Sequence, residues 1–272
     1  MSELSALVIE KTLTTARIGR PVHWHRSLAS TNDVAHDLAR GGADDGTLVI
    51  ADEQTAGKGR VGRRWWAPPG SGLLLSLVLR PPLTAARAQW LTMIAGLACA
   101  EAVEATTGLR PGLKWPNDLV LRGRKLGGIL TEIETSGEQL SFAVLGIGLN
   151  VNVDFRLHAQ DQLDQTATGL SQVLGRPVER LLLLNELLKG LEQRYALVRE
   201  GKSPHADWSE RLVTLGRRVK VSTLSASQPC ESIDLELIGE AVAVDADGGL
   251  ILRLPDGRTE RVLAGDVTLC DG

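Results

Sequence analysis

Gln54-Thr55-Ala56-Gly57-Lys58-Gly59-Arg60-Val61-Gly62-Arg63-Arg64-Trp65-Trp66 decides which arrangement of helices and strands this chain can adopt. The spacing of Gly57, Gly59 and Gly62 matches the dinucleotide fingerprint, which needs a strand before it and a helix after it. An apolar strand, Thr47 to Ala51, does precede the glycines. Ala67-Pro68-Pro69 follows the tryptophans, and paired prolines without an apolar period do not open a helix. A Rossmann fold is therefore excluded. Four cations remain, Lys58, Arg60, Arg63 and Arg64, interleaved with glycines that let backbone approach a ligand closely. The competing reading is a solvated basic loop. Trp65 and Trp66 argue against it, since a solvated loop has little use for large rings, whereas arginines grip phosphate and rings stack on bases.

Composition sets the frame for that loop. A chain of 272 residues can bury a substantial core, and its net charge of -3 provides no global field for duplex nucleic acid. Neither a nucleic acid nor a membrane is expected as a partner, because polyanion contact is confined to one loop and no run of about 18 apolar residues occurs. Cys99, Cys230 and Cys270 form no C-x-x-C pair, so reduced thiols and a cytoplasmic location are expected.

Working outward, residues 3–18 carry apolar positions at helical spacing, for about four turns. Val22 to His25 reads as a strand, with His23 and His25 as edge-strand histidines rather than metal ligands. Ser30-Thr31-Asn32 caps a helix that stops at Gly41-Gly42. The same three side chains could read a polar ligand head. Leu73 to Leu79 is a strand covered on both faces, and Ala85 to Thr107 is a long helix. Leu113 to Glu134 reads as a hairpin turning at Arg122-Gly123-Arg124-Lys125, and Leu140 to Val153 as a further strand. Residues 154–170 are polar and read as loop. Val178 to Val198 is a second long helix, and a short one runs from Ser203 to Trp208. From Leu215 onward, short alternating strands indicate a small separate β unit. Within it, residues 225–232 form a longer loop than such a unit needs.

Taken together, Ser30-Thr31-Asn32, the 54–63 loop, Lys114-Trp115-Pro116-Asn117-Asp118, Lys125-Leu126-Gly127-Gly128-Ile129-Leu130 and Gly146-Ile147-Gly148-Leu149-Asn150-Val151-Asn152 strongly resemble the motifs of biotin protein ligases, in the family order. The resemblance implies an α+β fold: a mixed-sheet catalytic domain of the biotin/lipoate ligase type over residues 1–213, which binds biotin and ATP, and a small SH3-like β-barrel over 214–272. It points to the monofunctional type without a DNA-binding helix-turn-helix. It further implies that biotin and ATP, with Mg2+, give biotinyl-5′-AMP, and that the biotinyl group then passes to a lysine of a biotin carboxyl carrier domain.

By the same resemblance, Ser30, Thr31, Asn32 and Gln54 meet the ureido head of biotin, Lys58, Gly59 and Arg60 line biotin and the phosphate, and Lys125 contacts biotin's carboxyl and the adenylate linkage. Arg63, Trp65, Asn117 and Asn150 serve ATP and the adenylate. Lys125 and Arg60 are the expected catalytic cations, and Asp118 is the candidate base for the incoming lysine; no metal ligand is assigned. The family usually has arginine where this chain has Lys58, which lacks a guanidinium fork, so weaker closure of the loop over the adenylate is expected. A lipoate ligase is the alternative, sharing the fold and a lysine followed by glycine.

Overall fold

The chain is described by a computed structural model covering residues 4–157, 163–224 and 234–270. Seven strands make the main sheet: β1 (Val22–His25), β2 (Leu48–Ala51), β3 (Gly72–Leu79), β4 (Gly112–Lys114), β5 (Asp118–Leu121), β6 (Arg124–Ser136) and β7 (Gln139–Asn150). Their order is β1-β2-β3-β7-β6-β5-β4. The β1/β2 pair is parallel and the other neighbours are antiparallel, so the sheet is mixed as expected.

Helix α2 (Thr31–Arg40) packs on one face, with Ala35 and Ala39 against Val49, Val78 and Phe142. The other face is covered by α3 (Gln89–Thr107) and α6 (Arg180–Arg199), whose buried leucines and alanines join the largest hydrophobic cluster. β3 has all eight residues buried because helices cover both of its faces.

Three local readings are corrected. The first helix, α1, spans only Ala6–Thr12, not residues 3–18. Beyond it, the backbone N–H groups of Ala16, Arg17 and Ile18 donate to the Glu192 carboxylate on α6, and Thr15 Oγ1 donates to the Ile18 carbonyl. Those groups are satisfied outside a helix, so tertiary contacts override the apolar period. The long helix expected from Ala85 opens as a separate 3-10 turn, Ala85–Arg87, before α3 begins. The expected single hairpin is two in succession, β4/β5 and β5/β6. Arg122 and Gly123 both take positive φ, 51° and 77°, and make the second a two-residue turn of the mirror-image kind favoured between twisted strands.

After β7, residues 154–170 are not simply polar loop. Phe155 is buried, and short helices α4 (Leu163–Thr166) and α5 (Leu170–Leu174) follow. Phe155, Leu163 and Ala167 gather with Trp65, Leu74 and Val153 into a satellite cluster. After α6, α7 (His205–Glu210) leads to the C-terminal strands β8 (Arg218–Leu224), β9 (Asp234–Val244), β10 (Leu250–Arg253), β11 (Thr259–Val262) and β12 (Asp266–Leu269). These form an antiparallel sheet in the order β11-β10-β9-β8-β12. The long loop expected at 225–232 lies outside the described residues.

The small sheet is fastened to the main body. Indole N–H groups of Trp90 and Trp115 donate to the carbonyls of Ala246 and Gly248, at 3.1 and 2.8 Å. Val219, Val221, Ala241 and Leu250 belong to the same hydrophobic cluster as α3.

Candidate active site

A cavity of about 370 Å3 opens over the middle of the main sheet, within the range of small-molecule sites. Ser30, Thr31, Asn32, Gln54, Lys58, Gly59, Arg60, Arg63, Trp65, Asn117, Asp118, Lys125 and Asn150 all line it. Every residue expected from the sequence to serve the site is thus brought to one cavity.

Its inner end is built at the start of α2. Ser30 occupies the N-cap position, yet its side chain makes no capping hydrogen bond. Gln54 supplies one from outside the helix, its Oε1 accepting from Thr31 N at 2.7 Å and from Thr31 Oγ1 at 2.9 Å. Ser76 on β3, which the sequence reading passed over, is fully buried, with its Oγ 2.7 Å from Thr31 Oγ1 and 2.6 Å from Asn32 Oδ1 and one proton to give to either. Its signal was a lone hydroxyl in an otherwise apolar strand. Glu132, likewise passed over, accepts from Asn32 Nδ2 at 2.6 Å.

The basic loop closes the cavity from above, held at both ends. Lys58 pairs with the Asp33 carboxylate on α2, and that hydrogen bond raises the lysine's pKa. Arg63 pairs with Asp266 of β12. Arg60 reaches Asn117 Oδ1 and the Gly265 carbonyl, and burial lowers its pKa, an unfavourable setting for a guanidinium that lacks a strong acceptor. Between these anchors Val61 sits at φ 54°, a left-handed conformation that costs a β-branched residue about 1–2 kcal/mol. Strain of that kind is found where a loop is shaped for a ligand.

Lys125 stands at the start of β6. Its Nζ lies 2.6 Å from Asp118 Oδ1 and 5.9 Å from the centre of the Trp65 ring. Its carbonyl accepts from Thr168 N at 2.9 Å, which ties the lysine to the segment carrying Phe155 and Leu163. The Trp65 ring lies against Gly128 and Gly148, cross-strand partners on β6 and β7. Asn117 turns its Nδ2 to the Ile129 carbonyl at 2.6 Å, so it braces β6 while orienting Arg60. Asn150 is buried, and its Oδ1 has no hydrogen-bond partner. A buried carbonyl left unpaired is a cost that a ligand N–H would remove.

Lys114 is a cation that the sequence reading quoted but gave no role. It lines the cavity, and burial pushes its amine below the usual lysine range, with Asp118 and Asp266 opposing the shift and Lys125 and Arg63 adding to it. The site therefore has an amide- and hydroxyl-lined inner end and a mouth where Arg60, Lys114 and Lys125 converge under a tryptophan. Such an arrangement holds a small polar head at one end and stabilises phosphate negative charge at the other.

Comparison with known proteins agrees with that chemistry. The Biotin/lipoate A/B protein ligase family matches residues 24–150, and the Biotin protein ligase C terminal domain matches residues 234–269. A biotin--[acetyl-CoA-carboxylase] ligase of Mycobacterium tuberculosis is 36% identical, over 95% of this chain and 94% of its own. The bifunctional ligase/repressor BirA of Bacillus subtilis is 33% identical, over 98% of this chain and 79% of its own. Among solved structures, the biotin protein ligase of Aquifex aeolicus in complex with biotin and ATP superposes with a TM-score of 0.74 at 26% identity, covering 92% of this chain and 99% of that one. With an ordered set of site residues, both domain matches and relatives of this likeness, the chain belongs to the biotin/lipoate protein ligase family, among the biotin protein ligases.

Proposed function

We propose that this chain activates biotin with MgATP and transfers the biotinyl group to a lysine of a biotin carboxyl carrier domain. The observation that carries this reading is the polarity of this cavity, from its amide- and hydroxyl-lined inner end to its cationic mouth. Short amide and hydroxyl side chains suit a ureido ring, and the cationic mouth suits a carboxylate meeting a triphosphate.

In the first step a biotin carboxylate oxygen attacks the α-phosphorus and pyrophosphate leaves. Two anions must approach each other, so Arg60, Lys114 and Lys125 offset the charge that builds on the phosphorus oxygens. The described residues hold no group of three or more His, Cys, Asp or Glu that could bind a metal ion. Mg2+ brought in with ATP would supply further positive charge at the phosphate end, beside Arg60, Lys114 and Lys125. Trp65 offers its face to adenine, and the unpaired Asn150 Oδ1 accepts from the adenine amino group. Arg63 and Asn117 complete the phosphate end.

In the second step the carrier lysine attacks the acyl carbon and AMP leaves. Its amine must first lose a proton, since a free lysine has a pKa of about 10.4. Asp118 pairs with Lys125 at 2.6 Å. Once Lys125 turns to the acyl phosphate, the Asp118 carboxylate is released to act as base. The loop from Gly57 to Trp66 shields the water-sensitive anhydride meanwhile.

No helix among the described residues is long and apolar enough to cross a membrane. We place the reaction in the cytoplasm, where ATP is supplied; Cys99 and Cys270 are free thiols. The test is transfer of labelled biotin to a purified carrier domain. ATP-dependent labelling is expected, and transfer of lipoate in place of biotin would overturn the assignment.

Lys114 gives this reading a pH dependence. Lysine is cationic below its pKa, and burial has lowered that pKa, so its charge is lost earlier on the alkaline side than for a solvated lysine. The kcat/KM for ATP, which reports the free enzyme, is expected to fall as pH rises through that lowered value. Lys114→Arg, whose guanidinium stays charged throughout the assay range, should remove this alkaline limb. An unchanged profile in the variant would rule Lys114 out as a phosphate ligand.

A further inference from the structure

The Glu132 carboxylate has no part in the two steps above, yet it is joined to the inner end of the cavity by a run of hydrogen bonds. Asn32 Nδ2 donates to it at 2.6 Å, and Asn32 Oδ1 lies 2.6 Å from Ser76 Oγ. Ser76 Oγ is 2.7 Å from Thr31 Oγ1, which in turn donates to Gln54 Oε1. Asn32, Thr31 and Ser76 are all buried.

Two features follow from counting protons along this run. First, a carboxylate only accepts, so Asn32 must present its amino group to Glu132 and its oxygen to the interior. Turning the amide over would set Oδ1 against the carboxylate and leave Nδ2 facing Ser76. Second, the inner face is short of donors. Gln54 Oε1 is fixed by the backbone N–H of Thr31, so the Thr31 hydroxyl must spend its proton there. Ser76 then has one proton for two oxygens, Thr31 Oγ1 and Asn32 Oδ1. Three oxygen–oxygen contacts thus share two hydroxyl protons, so the inner face has a surplus of acceptor lone pairs that a ligand N–H can meet. A cyclic urea carries two N–H groups, and a dithiolane ring carries none.

We propose that Glu132 is a positioning residue that, by fixing the Asn32 amide, makes the head pocket an acceptor surface and so selects a ureido ring over a ring without N–H donors. The proposal rests on the biotin reading given above. It differs from the contacts implied by family resemblance in acting through a residue that need not touch the ligand.

The experiment is calorimetric titration of biotin and of lipoate into the full chain, with steady-state kinetics alongside. Glu132→Gln removes the constraint, because the new amide can donate or accept and Asn32 is free to turn. The biotin Kd and KM should rise about tenfold, the loss of one well-placed buried hydrogen bond. Meanwhile kcat at saturating biotin and the KM for ATP should hold, and preference over lipoate should shrink by the same factor.

Asn32→Asp alone sets two carboxylates face to face and should bind biotin more weakly still. Combined with Glu132→Gln, it reverses donor and acceptor across the pair while leaving an oxygen inward. The double variant should therefore recover most of the affinity lost by the Glu132→Gln chain. A merely structural role would lower biotin affinity, ATP affinity and thermal midpoint together and would not be rescued by the exchange, and that result would overturn the proposal. Unchanged biotin affinity in Glu132→Gln would overturn it as well. A wild-type chain that binds no biotin would instead overturn the underlying assignment together with this proposal.

Discussion

Lys125→Ala is expected to slow biotin-dependent pyrophosphate release by about two to three orders of magnitude, the scale seen when one charge-stabilising group is removed from a preorganised site. The lysine is held from three sides: Asp118 at 2.6 Å, the Trp65 ring beyond it, and Thr168 on its carbonyl. Its ammonium is thus placed at the mouth of the cavity, where it exchanges the Asp118 carboxylate for the reacting carboxyl. Removal should lower kcat more than it raises the KM for biotin, because the ureido contacts at the far end of the cavity are untouched. Quenched-flow measurement of pyrophosphate release would check this. A variant within a fewfold of wild type would show that the phosphoryl charge is met elsewhere, with Lys114 and Arg60 the next groups to examine.

Gly148→Ala should be the next most damaging change, through geometry instead of charge. A Cβ at Gly148 would stand 2.6, 2.9 and 3.0 Å from three atoms of the Trp65 indole, closer than real Cβ atoms come to a rigid ring. The ring cannot slide along the sheet, since Trp65 N is tied to the Gly57 carbonyl at 2.9 Å and the indole also lies on Gly128. It must lift, carrying the loop with it, and the slot proposed for adenine loses its wall. The KM for ATP should rise about tenfold to a hundredfold, in line with stacking energies of roughly 1–3 kcal/mol per base. Circular dichroism should remain that of the wild type. An unaltered KM for ATP would mean that the nucleotide does not use this wall.

Much of this was legible in the sequence, for a physical reason. The elements around the site announce themselves locally: Pro68-Pro69 denies a helix after the basic loop, Arg122-Gly123 dictates a tight turn, and the near-continuous apolar run of β3, broken only by Ser76, requires cover on both faces. The ordered polar motifs then sit at strand ends and loops, so their residues converge once the strands pair. Harder to read were residues whose role exists only across the fold. Ser76 gains its partners from α2, 44 and 45 positions away, and Glu132 meets Asn32 100 positions away. Asp266 joins Arg63 across 203 residues. Their neighbourhoods mark them only faintly, because a lone serine in an apolar strand and an acid on a half-buried strand are both ordinary. The shortened α1 has the same origin: its apolar period is real, but Glu192 captures the backbone donors that would have continued it.

The attachment of the small sheet carries a consequence for modularity. Trp90 and Trp115 are almost wholly enclosed, and each indole finds its acceptor on a carbonyl of the turn after β9. Trp115 is also flanked by Lys114 and Pro116, both at the cavity wall. The C-terminal unit is therefore a fitted lid on two tryptophans of the catalytic body, not a bead on a string. Exchange of this unit among relatives would have to preserve two carbonyls at fixed positions, so the two parts must vary in step even where neither touches substrate.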